Sequence, residues 1–134
     1  MDTQLEKNLL ERYPLILQDM YGDCKETCMC WGIETGNGWY NLLDMLMGYL
    51  QWQTNNNNYP QVIASQIKEK YGGLRFYYST EGGASEDYDN NISTIIDYVS
   101  YLSEHTCEDC GKKGKKRKGS WIVTLCDDCN NNNK

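Results

Sequence analysis

The sequence is poor in histidine and contains no long apolar segment. His105 is the only histidine among 134 residues. This excludes most histidine-dependent catalysis, including two-histidine metal hydrolysis and His/Asn/His nuclease sites. No apolar run approaches the roughly 18–20 residues that a membrane-spanning helix requires, and the polar start, MDTQLEKNLLERYP, lacks the features of a secretory signal. We therefore expect no membrane partner and a cytoplasmic location, where thiols stay reduced.

Other catalytic signatures are also missing. No H-x-E motif accompanies a P-C-x-x-C motif, which a zinc deaminase would need. The glycines at 72–73 are a turn signal and not a phosphate-binding loop. Acidic pairs such as Glu86 and Asp87 have no neighbouring base in the sequence. We predict that the protein is not an enzyme; carboxylate-only catalysis leaves no sequence signature and stays a third hypothesis.

Phenylalanine is scarce, with one residue against eleven tyrosines and four tryptophans. Phenylalanine suits dry cores, whereas Tyr and Trp suit surfaces that are apolar and hydrogen-bonding at once, and binding interfaces are enriched in them. Tyr71, Phe76, Tyr77 and Tyr78 lie in one short segment. Because alternate strand residues face opposite sides, one face can pack in the core while the other meets a partner. Tyr77 and Tyr78 are therefore candidate partner contacts.

Charge is divided unevenly along the chain. Residues 1–104 carry a net charge of −9 and residues 105–134 a net charge of +3. This asymmetry indicates an acidic body with a basic appendage, and the total of −6 argues against a general nucleic-acid binder. We predict an α+β fold: an acidic body of helices and a β-hairpin (1–104), a C-terminal zinc ribbon (105–130) and a disordered tail (131–134).

Three segments have the spacing of amphipathic helices. The first opens with a T-x-x-E capping box at Thr3 and Glu6, and Pro14 either ends it or starts a second short helix through Met20. The other two are defined by large apolar side chains three and four positions apart. These are Trp39, Leu42, Leu43, Leu46, Met47 and Leu50 in one helix, and Ile92, Ile95, Ile96, Val99 and Leu102 in the other.

The segments between these helices are predicted as loops and strands. Residues 55–58 are a solvated Asn run, and 81–91 an acidic loop. Residues 61–71 fit a helix or a strand equally, because a spacing of four suits both periods. The aromatic run 74–80 indicates a strand, and the glycines at 72–73 favour a β-hairpin.

Two C-x₂-C pairs, fifteen residues apart, fit the spacing of a four-cysteine zinc site. Gly111 follows the first pair, where a knuckle often needs positive φ, and Asn130 follows the second and tolerates it. The intervening chain is long enough for a hairpin with 120–125 as its second strand. We predict one structural Zn²⁺, since four protein ligands leave no open position for catalysis. The ligands are Cys107, Cys110, Cys126 and Cys129.

Four further residues have less specific patterns. His105 is either an alternative ligand or a surface residue whose partial charge suits a helix end. Cys24, Cys28 and Cys30 form a C-x₃-C-x-C pattern that matches no standard site. They are expected as reduced thiols in an irregular loop, with a second metal site as the alternative.

Six cations lie between the two cysteine pairs. They contact phosphates, with an affinity that falls as salt rises, or they form a solvated tip that keeps the module soluble. Both interpretations stay open. The residues are Lys112, Lys113, Lys115, Lys116, Arg117 and Lys118.

Four segments together resemble a group of uncharacterised bacteriophage and prophage proteins. Members combine a Gly-Trp helix start, a K-E-K-[FY]-G-G-L-R-F-Y hairpin and a C-terminal four-cysteine ribbon. The resemblance covers about residues 31–129, and Thr35 stands where members usually have a cysteine. The segments are GNGWYNLLD (36–44), QIKEKYGGLRFYYS (66–79), TCEDCGKKG (106–114) and SWIVTLCDDC (120–129).

The resemblance implies a phage context without a defined activity. Small acidic phage proteins often disable a host machine, so we expect a bacterial host protein or ribonucleoprotein as partner, such as an RNA-guided (CRISPR-type) defence nuclease in the host cytoplasm. An acidic face imitates nucleic acid in a positively charged channel, or the basic ribbon touches guide RNA. The alternative is a nucleic-acid-binding zinc-ribbon regulator that uses Lys112–Lys118. Candidate partner contacts are Tyr77, Tyr78, Glu86, Asp87 and Asp89.

Overall fold

Helices alternate with two small sheets in an α+β fold, in a computed structural model that describes residues 1–132. The α-helices are α1 (Thr3–Arg12), α2 (Tyr40–Asn57), α3 (Glu86–Ser103) and α4 (Asp127–Asn132). The strands are β1 (Ile33–Glu34), β2 (Val62–Lys70), β3 (Gly73–Thr80), β4 (Lys115–Arg117) and β5 (Val123–Leu125). Two short 3-10 turns span Cys28–Trp31 and Asn37–Trp39.

The larger sheet has the order β1-β2-β3, with β2 in the centre. Strand β2 is antiparallel to β3 and parallel to β1, and Ile67 lies opposite both Phe76 and Ile33. A bulge shifts the register between Ala64 and Gln66. The predicted β-hairpin is therefore confirmed, and the helical alternative for 61–71 is wrong because β2 gains hydrogen-bonded neighbours on both edges.

The hairpin turn lies one residue earlier than the glycine pair indicates. Lys70 pairs with Gly73, so Tyr71 and Gly72 are the two turn residues, with φ values of 53° and 79°. A two-residue hairpin with a type I′ turn requires positive φ at both positions, which is unusual for an aromatic residue. Tyr71 is left 63% exposed at the tip.

The main core is formed by α1, α2, α3 and the larger sheet. Helix α3 packs on β3, and α2 packs on α3. Their buried side chains belong to one apolar cluster that includes Leu9, Leu43, Ile67 and Ile92, none of which is exposed. The predicted apolar spacing of α2 and α3 is confirmed, since those residues supply most of the buried face.

Two predicted loops are shorter than expected because the helices extend into them. Residues 55–57 belong to α2, which ends at Asn58 with a φ of 61°. The acidic loop 81–91 is interrupted by the start of α3, where the Ser85 hydroxyl accepts a hydrogen bond from the Tyr88 N–H at 3.3 Å. Serine is a favoured N-cap, a signal that the sequence interpretation missed.

Glu6 does not cap helix α1. Its carboxylate is buried, and it accepts hydrogen bonds from the Ile33 N–H at 2.8 Å and from the Tyr21 hydroxyl at 2.5 Å. The N-cap position, Asp2, makes no side-chain capping bond. The predicted capping box is therefore wrong, because partners distant in sequence occupy the carboxylate.

The upstream cysteines are not three reduced thiols. Cys24 and Cys30 form a disulfide, with Cα atoms 5.1 Å apart, whereas Cys28 is free and exposed. The 3-10 turn Cys28–Trp31 brings Cys30 back towards Cys24, so two close thiols pair. The expectation of reduced thiols is wrong for this pair.

The C-terminal end differs from the predicted disordered tail. Residues 131–132 complete α4, and residues 133–134 lie outside the described residues. The second strand of the ribbon is also shorter than 120–125, because β5 comprises Val123–Leu125 alone.

Candidate metal centre and its surroundings

The four cysteines predicted as zinc ligands converge on one point. Their Sγ atoms all lie within 4.8 Å of one another, and Cys110 Sγ is 3.6 Å from Cys126 Sγ. Thiolates around a tetrahedral ion with metal–sulfur bonds of about 2.3 Å stand about 3.8 Å apart. The donor chemistry and spacing therefore fit one four-coordinate metal ion. The residues are Cys107, Cys110, Cys126 and Cys129.

The two cysteine pairs are shaped by different local structures. In the first pair, the Gly111 N–H donates to the Cys107 carbonyl at 2.9 Å, and Gly111 adopts the expected positive φ of 82°. In the second pair, Cys126 immediately precedes α4, and the Asn130 N–H donates to its carbonyl at 3.0 Å. Asn130 is helical and does not adopt the positive φ that the sequence allowed. The start of α4 orients the second pair instead.

Electrostatics around the sulfurs favour a bound cation. Burial raises the pKa of the fully buried Cys107 thiol, but hydrogen bonds from the backbone N–H groups of Cys126, Cys110 and Asp109 lower it to about 7. The pKa of Cys129 is raised, first by hydrogen bonding to the sulfurs of Cys126 and Cys110. Four crowded thiols resist ionising together unless a positive charge lies between them.

His105 is not part of this cluster. It is exposed, and its ring centroid lies 4.8 Å from that of Tyr101, one turn earlier on the same chain segment. The candidate site within residues 1–132 therefore has cysteine ligands alone. Four protein ligands complete a tetrahedral shell and leave no position for a substrate or a reactive water.

The Gly36–Trp39 turn packs directly on the first cysteine pair. The Gly36 N–H donates to Glu108 Oε2 at 2.8 Å, and the Gly38 N–H donates to the Glu108 carbonyl at 2.7 Å. A Cβ atom at Gly38 would overlap the Cys107 carbonyl oxygen and lie 2.6 Å from the Gly111 nitrogen. The close approach of these two backbones therefore requires glycine at this position.

Trp39 joins the core of the body to the ribbon. Its side chain is fully buried, and its indole Nε1–H donates to the Thr106 carbonyl at 2.8 Å. A buried indole needs such a partner, and this one directly precedes the first metal ligand. The buried Trp39 side chain therefore positions Thr106, and with it the start of the cysteine cluster.

The hairpin turn supports the ribbon from a second side. The Thr124 hydroxyl donates to the Gly72 carbonyl at 2.5 Å, and the Glu108 N–H donates to the Thr124 carbonyl at 2.9 Å. Thr124 is completely buried although it is polar. Turn, knuckle and strand β5 are thus linked, and the ribbon is not a separate appendage.

The six predicted cations do not form one free surface. Lys116 Nζ lies 3.0 Å from Glu104 Oε1. Arg117 donates to Asp127 Oδ1 at 2.7 Å and to the Leu125 carbonyl at 3.1 Å, and it lowers the pKa of Asp127. These two side chains therefore stabilise the ribbon. The remaining cations are exposed: Lys112, Lys113, Lys115 and Lys118.

The predicted partner contacts differ in whether their side chains face solvent or bind within the fold. Tyr77 is 44% exposed, but the Tyr78 hydroxyl donates to Asp89 Oδ1 at 2.6 Å. Burial and this hydrogen bond raise the pKa of Tyr78. Glu86 and Asp87 lie in the first turn of α3, where carboxylates suit the helix dipole. Tyr78 and Asp89 therefore hold α3 against β3, whereas the other three face solvent.

Sequence reasoning missed two surfaces. An apolar groove of 490 Å³ lies between α2 and α3, with Met45 and Tyr98 more than 60% exposed. A second cleft of 450 Å³ lies between the hairpin end and the ribbon loop, bordered by Tyr71 and Trp121. The spacing of Met45 and Tyr49 was a usable signal for the groove, because they extend the apolar face of α2 beyond the core positions Leu42 and Leu46.

No known protein family, curated protein or solved structure matches this chain. Within residues 1–132, no helix has both the length and the apolar character needed to cross a bilayer. The function must therefore be argued from the metal centre and the two exposed surfaces.

Proposed function

We propose that this chain is a non-catalytic binding protein, stabilised by one structural zinc ion, whose partner is a bacterial host protein or ribonucleoprotein. The α2–α3 groove carries the proposal. Its lining is almost entirely apolar, and three large side chains on it stay exposed: Met45 at 61%, Tyr49 at 46% and Tyr98 at 62%. Contiguous apolar surfaces of this kind are typical of interaction sites.

Zinc is the metal that best suits the four-cysteine cluster. Thiolates select Zn²⁺, Cu⁺ and iron–sulfur chemistry, and a tetrahedral set from two C-x₂-C pairs is characteristic of structural zinc. The proposal requires elemental analysis to give one zinc per chain. A preparation that folds fully with less than a tenth of that amount would contradict it.

The charges of the two helices favour a basic partner in the groove. Neither α2 nor α3 contains a lysine or arginine, whereas together they contain five carboxylates. Asp44 is already paired with Arg12 at 3.2 Å, so the remaining acidic charge lies on α3. We assign the groove to a basic amphipathic helix of the partner, which inserts apolar residues and places lysine or arginine beside α3.

A designed peptide tests this assignment. A labelled amphipathic helix of leucine and lysine should bind in fluorescence anisotropy, and a leucine–glutamate version should bind at least tenfold more weakly. Tyr98→Ser should weaken binding of the basic peptide roughly tenfold. Tyr101→Ser is the matched control, since Tyr101 lies on the same helix and is 59% exposed but is outside the groove.

The host partner is tested with the same pair of variants. Wild-type and Tyr101→Ser protein should capture the same bacterial protein or ribonucleoprotein, and Tyr98→Ser should lose it. Equal capture by all three would remove the groove from the proposal. A concentration-dependent dimer that Tyr98→Ser dissociates would instead assign the groove to a second copy of this chain.

A second function, nucleic-acid contact by the ribbon, is favoured by the exposure of four lysines. Lys112, Lys113, Lys115 and Lys118 project from a segment whose other two cations are paired internally. Nucleic acid should be retained at low salt and released as salt rises. Replacing the four exposed lysines with serine should reduce retention of nucleic acid at least tenfold. If retention is unchanged, these lysines only keep the module soluble.

A further inference from the structure

A cleft of 450 Å³ separates the end of the hairpin from the loop that precedes β5. One wall is formed by 68–71 and the other by 119–122. Tyr71 and Trp121 border it with 63% and 72% of their surfaces exposed, the latter being the highest exposure of any large apolar side chain described. Both aromatic side chains are therefore open to a ligand.

The hairpin end is anchored to β5 beside the cleft. The Thr124 hydroxyl binds the Gly72 carbonyl at the base, and Gly72 lies so close to β5 that a Cβ there would be 2.9 Å from the Thr124 oxygen. Tyr71 itself is confined by the positive φ of the tight turn. Ligand binding therefore does not need to order the hairpin end, which lowers the entropic cost of association.

Cations accompany the aromatic groups. Lys68 and Lys70 lie on the same wall, two residues apart on β2, and Lys70 Nζ is 5.6 Å from the centroid of the Tyr71 ring. Lys118 directly precedes the opposite wall in the chain. The one carboxylate in the lining, Glu69, accepts a hydrogen bond from the Gly72 N–H at 3.4 Å and so has a partner in the turn.

We propose that this cleft binds single-stranded nucleic acid, with bases stacked on Tyr71 and Trp121 and phosphates beside Lys68 and Lys70. Exposed aromatic faces flanked by cations are what binding of unpaired strands requires, because each base offers a flat face and each phosphate a charge. A duplex keeps its bases stacked inside and cannot use the aromatic side chains. The inference rests on the second proposed function and adds the site and the strand state to it.

The acidic body limits the length of the strand that can be bound. Eight of the thirteen lysines and arginines lie in β2 or the ribbon, and the rest of the chain is strongly negative. A polyanion is therefore attracted to the cleft side and repelled elsewhere, so we expect a short binding segment. No buried polar group lines the cleft to read a base edge, so binding should tolerate many sequences.

The test measures fluorescence anisotropy of labelled oligo-uridine, oligo-thymidine and a duplex of equal length with the zinc-loaded chain. We expect both single strands to bind and the duplex to bind at least tenfold more weakly. Trp121→Ala and Tyr71→Ala should each weaken single-strand binding roughly 5- to 100-fold. Trp31→Ala is the matched control, because Trp31 is 69% exposed but lies outside the cleft.

The variants separate the cleft from the lysines. Replacing Lys68 and Lys70 with serine should flatten the salt dependence, while the stacking variants leave its slope unchanged. If the four-lysine serine variant of the ribbon loses binding but Trp121→Ala and Tyr71→Ala do not, nucleic-acid contact by the ribbon stands and the cleft proposal fails. Absence of binding by the wild-type chain at low salt, or equal binding of duplex and single strand, overturns it. Zinc content and circular dichroism identify any variant that has lost its fold.

Discussion

The body, residues 1–104, and the ribbon, residues 105–132, are stabilised by different means. Twenty-one buried apolar side chains form the core of the body. The separate buried cluster of the ribbon contains Cys107, Leu125 and Cys126, and two of these three are candidate metal ligands. Without a metal, the ribbon lacks the buried apolar area that keeps a module of this size folded. The buried side chains of the body can hold it together, whereas we expect the ribbon to depend on a bound ion and on its neighbour.

We expect the ribbon to need its contacts with the body more than the body needs the ribbon. Gly36 and Gly38 of the body donate hydrogen bonds to Glu108, and Trp39 donates to Thr106. Residues that the ribbon needs therefore lie in the loop that starts α2, within the folded body. We expect the body to survive loss of the metal with local changes around Trp39, and the ribbon to unfold.

The largest effect should come from removing one metal ligand. Structural zinc in small modules contributes about 10–16 kcal/mol to folding, as much as or more than the whole stability of a typical domain. Cys126→Ser should therefore lose the metal, and amide exchange should show unprotected β4 and β5 while α2 and β2 stay protected. Cys28→Ser is the control, since Cys28 is free and exposed. Retained zinc and protection in Cys126→Ser would contradict the four-cysteine site.

A smaller effect is expected in the core of the body. Ile67 is fully buried at the centre of β2, so Ile67→Ala should lower the free energy of unfolding by about 2–5 kcal/mol. The loss should be the same with and without a chelator, because the core does not depend on the metal. Leu15→Ala, at a position 52% exposed, should change stability by less than about 0.5 kcal/mol in the same urea titrations. A chelator-dependent loss for Ile67→Ala would show that the regions fold as one unit.

The contact between the regions can be weakened by one methyl group. Gly38→Ala places a Cβ against the Cys107 carbonyl, and overpacking of this kind costs about 1–3 kcal/mol. We expect faster zinc release to a chelator and a changed fluorescence of Trp39. Gly82→Ala is the control: its methyl meets open space, and its φ of 73° adds backbone strain away from the ribbon. Equal zinc release from both variants would mean that the turn does not support the metal centre.

Local sequence was sufficient for the features whose partners are close in sequence. The two C-x₂-C pairs and the apolar faces of α2 and α3 follow from spacing, whereas the β2–β3 hairpin follows from the aromatic run and the glycine turn. The contact of Gly38 with Cys107 could not be predicted in this way, because it joins backbones that are distant in sequence.

The other differences between prediction and structure arise where a side chain binds a partner that is distant in sequence. Thr3 and Glu6 have the pattern of a capping box, yet the Glu6 carboxylate binds Ile33 and Tyr21, which no local rule reveals. Lys116 and Arg117 belong to a uniform run of cations, yet only the fold supplies their acidic partners, Glu104 and Asp127. Local patterns therefore identify candidate donors and acceptors, while tertiary structure decides between them.

The smallest expected effect concerns a polar contact that the body makes without a metal. The Tyr21 hydroxyl donates to the buried Glu6 carboxylate, and this bond, with burial second, raises the pKa of Tyr21 to about 12. A raised pKa means that the folded state favours the protonated phenol. Its contribution to stability is fully present below the ordinary tyrosine value of about 10 and is lost as the pH rises through about 12.

Tyr21→Phe isolates this contact from the ribbon. Subtracting the ultraviolet phenolate titration of the variant from that of the wild type should leave one group with a midpoint near 12. The variant should also be slightly less stable than the wild type at neutral pH, and this difference should vanish in strong alkali. Tyr77→Phe is the control, because Tyr77 is similarly exposed and has no carboxylate bond among the described contacts. A difference midpoint near 10 for Tyr21 would show that Glu6 is held by Ile33 alone.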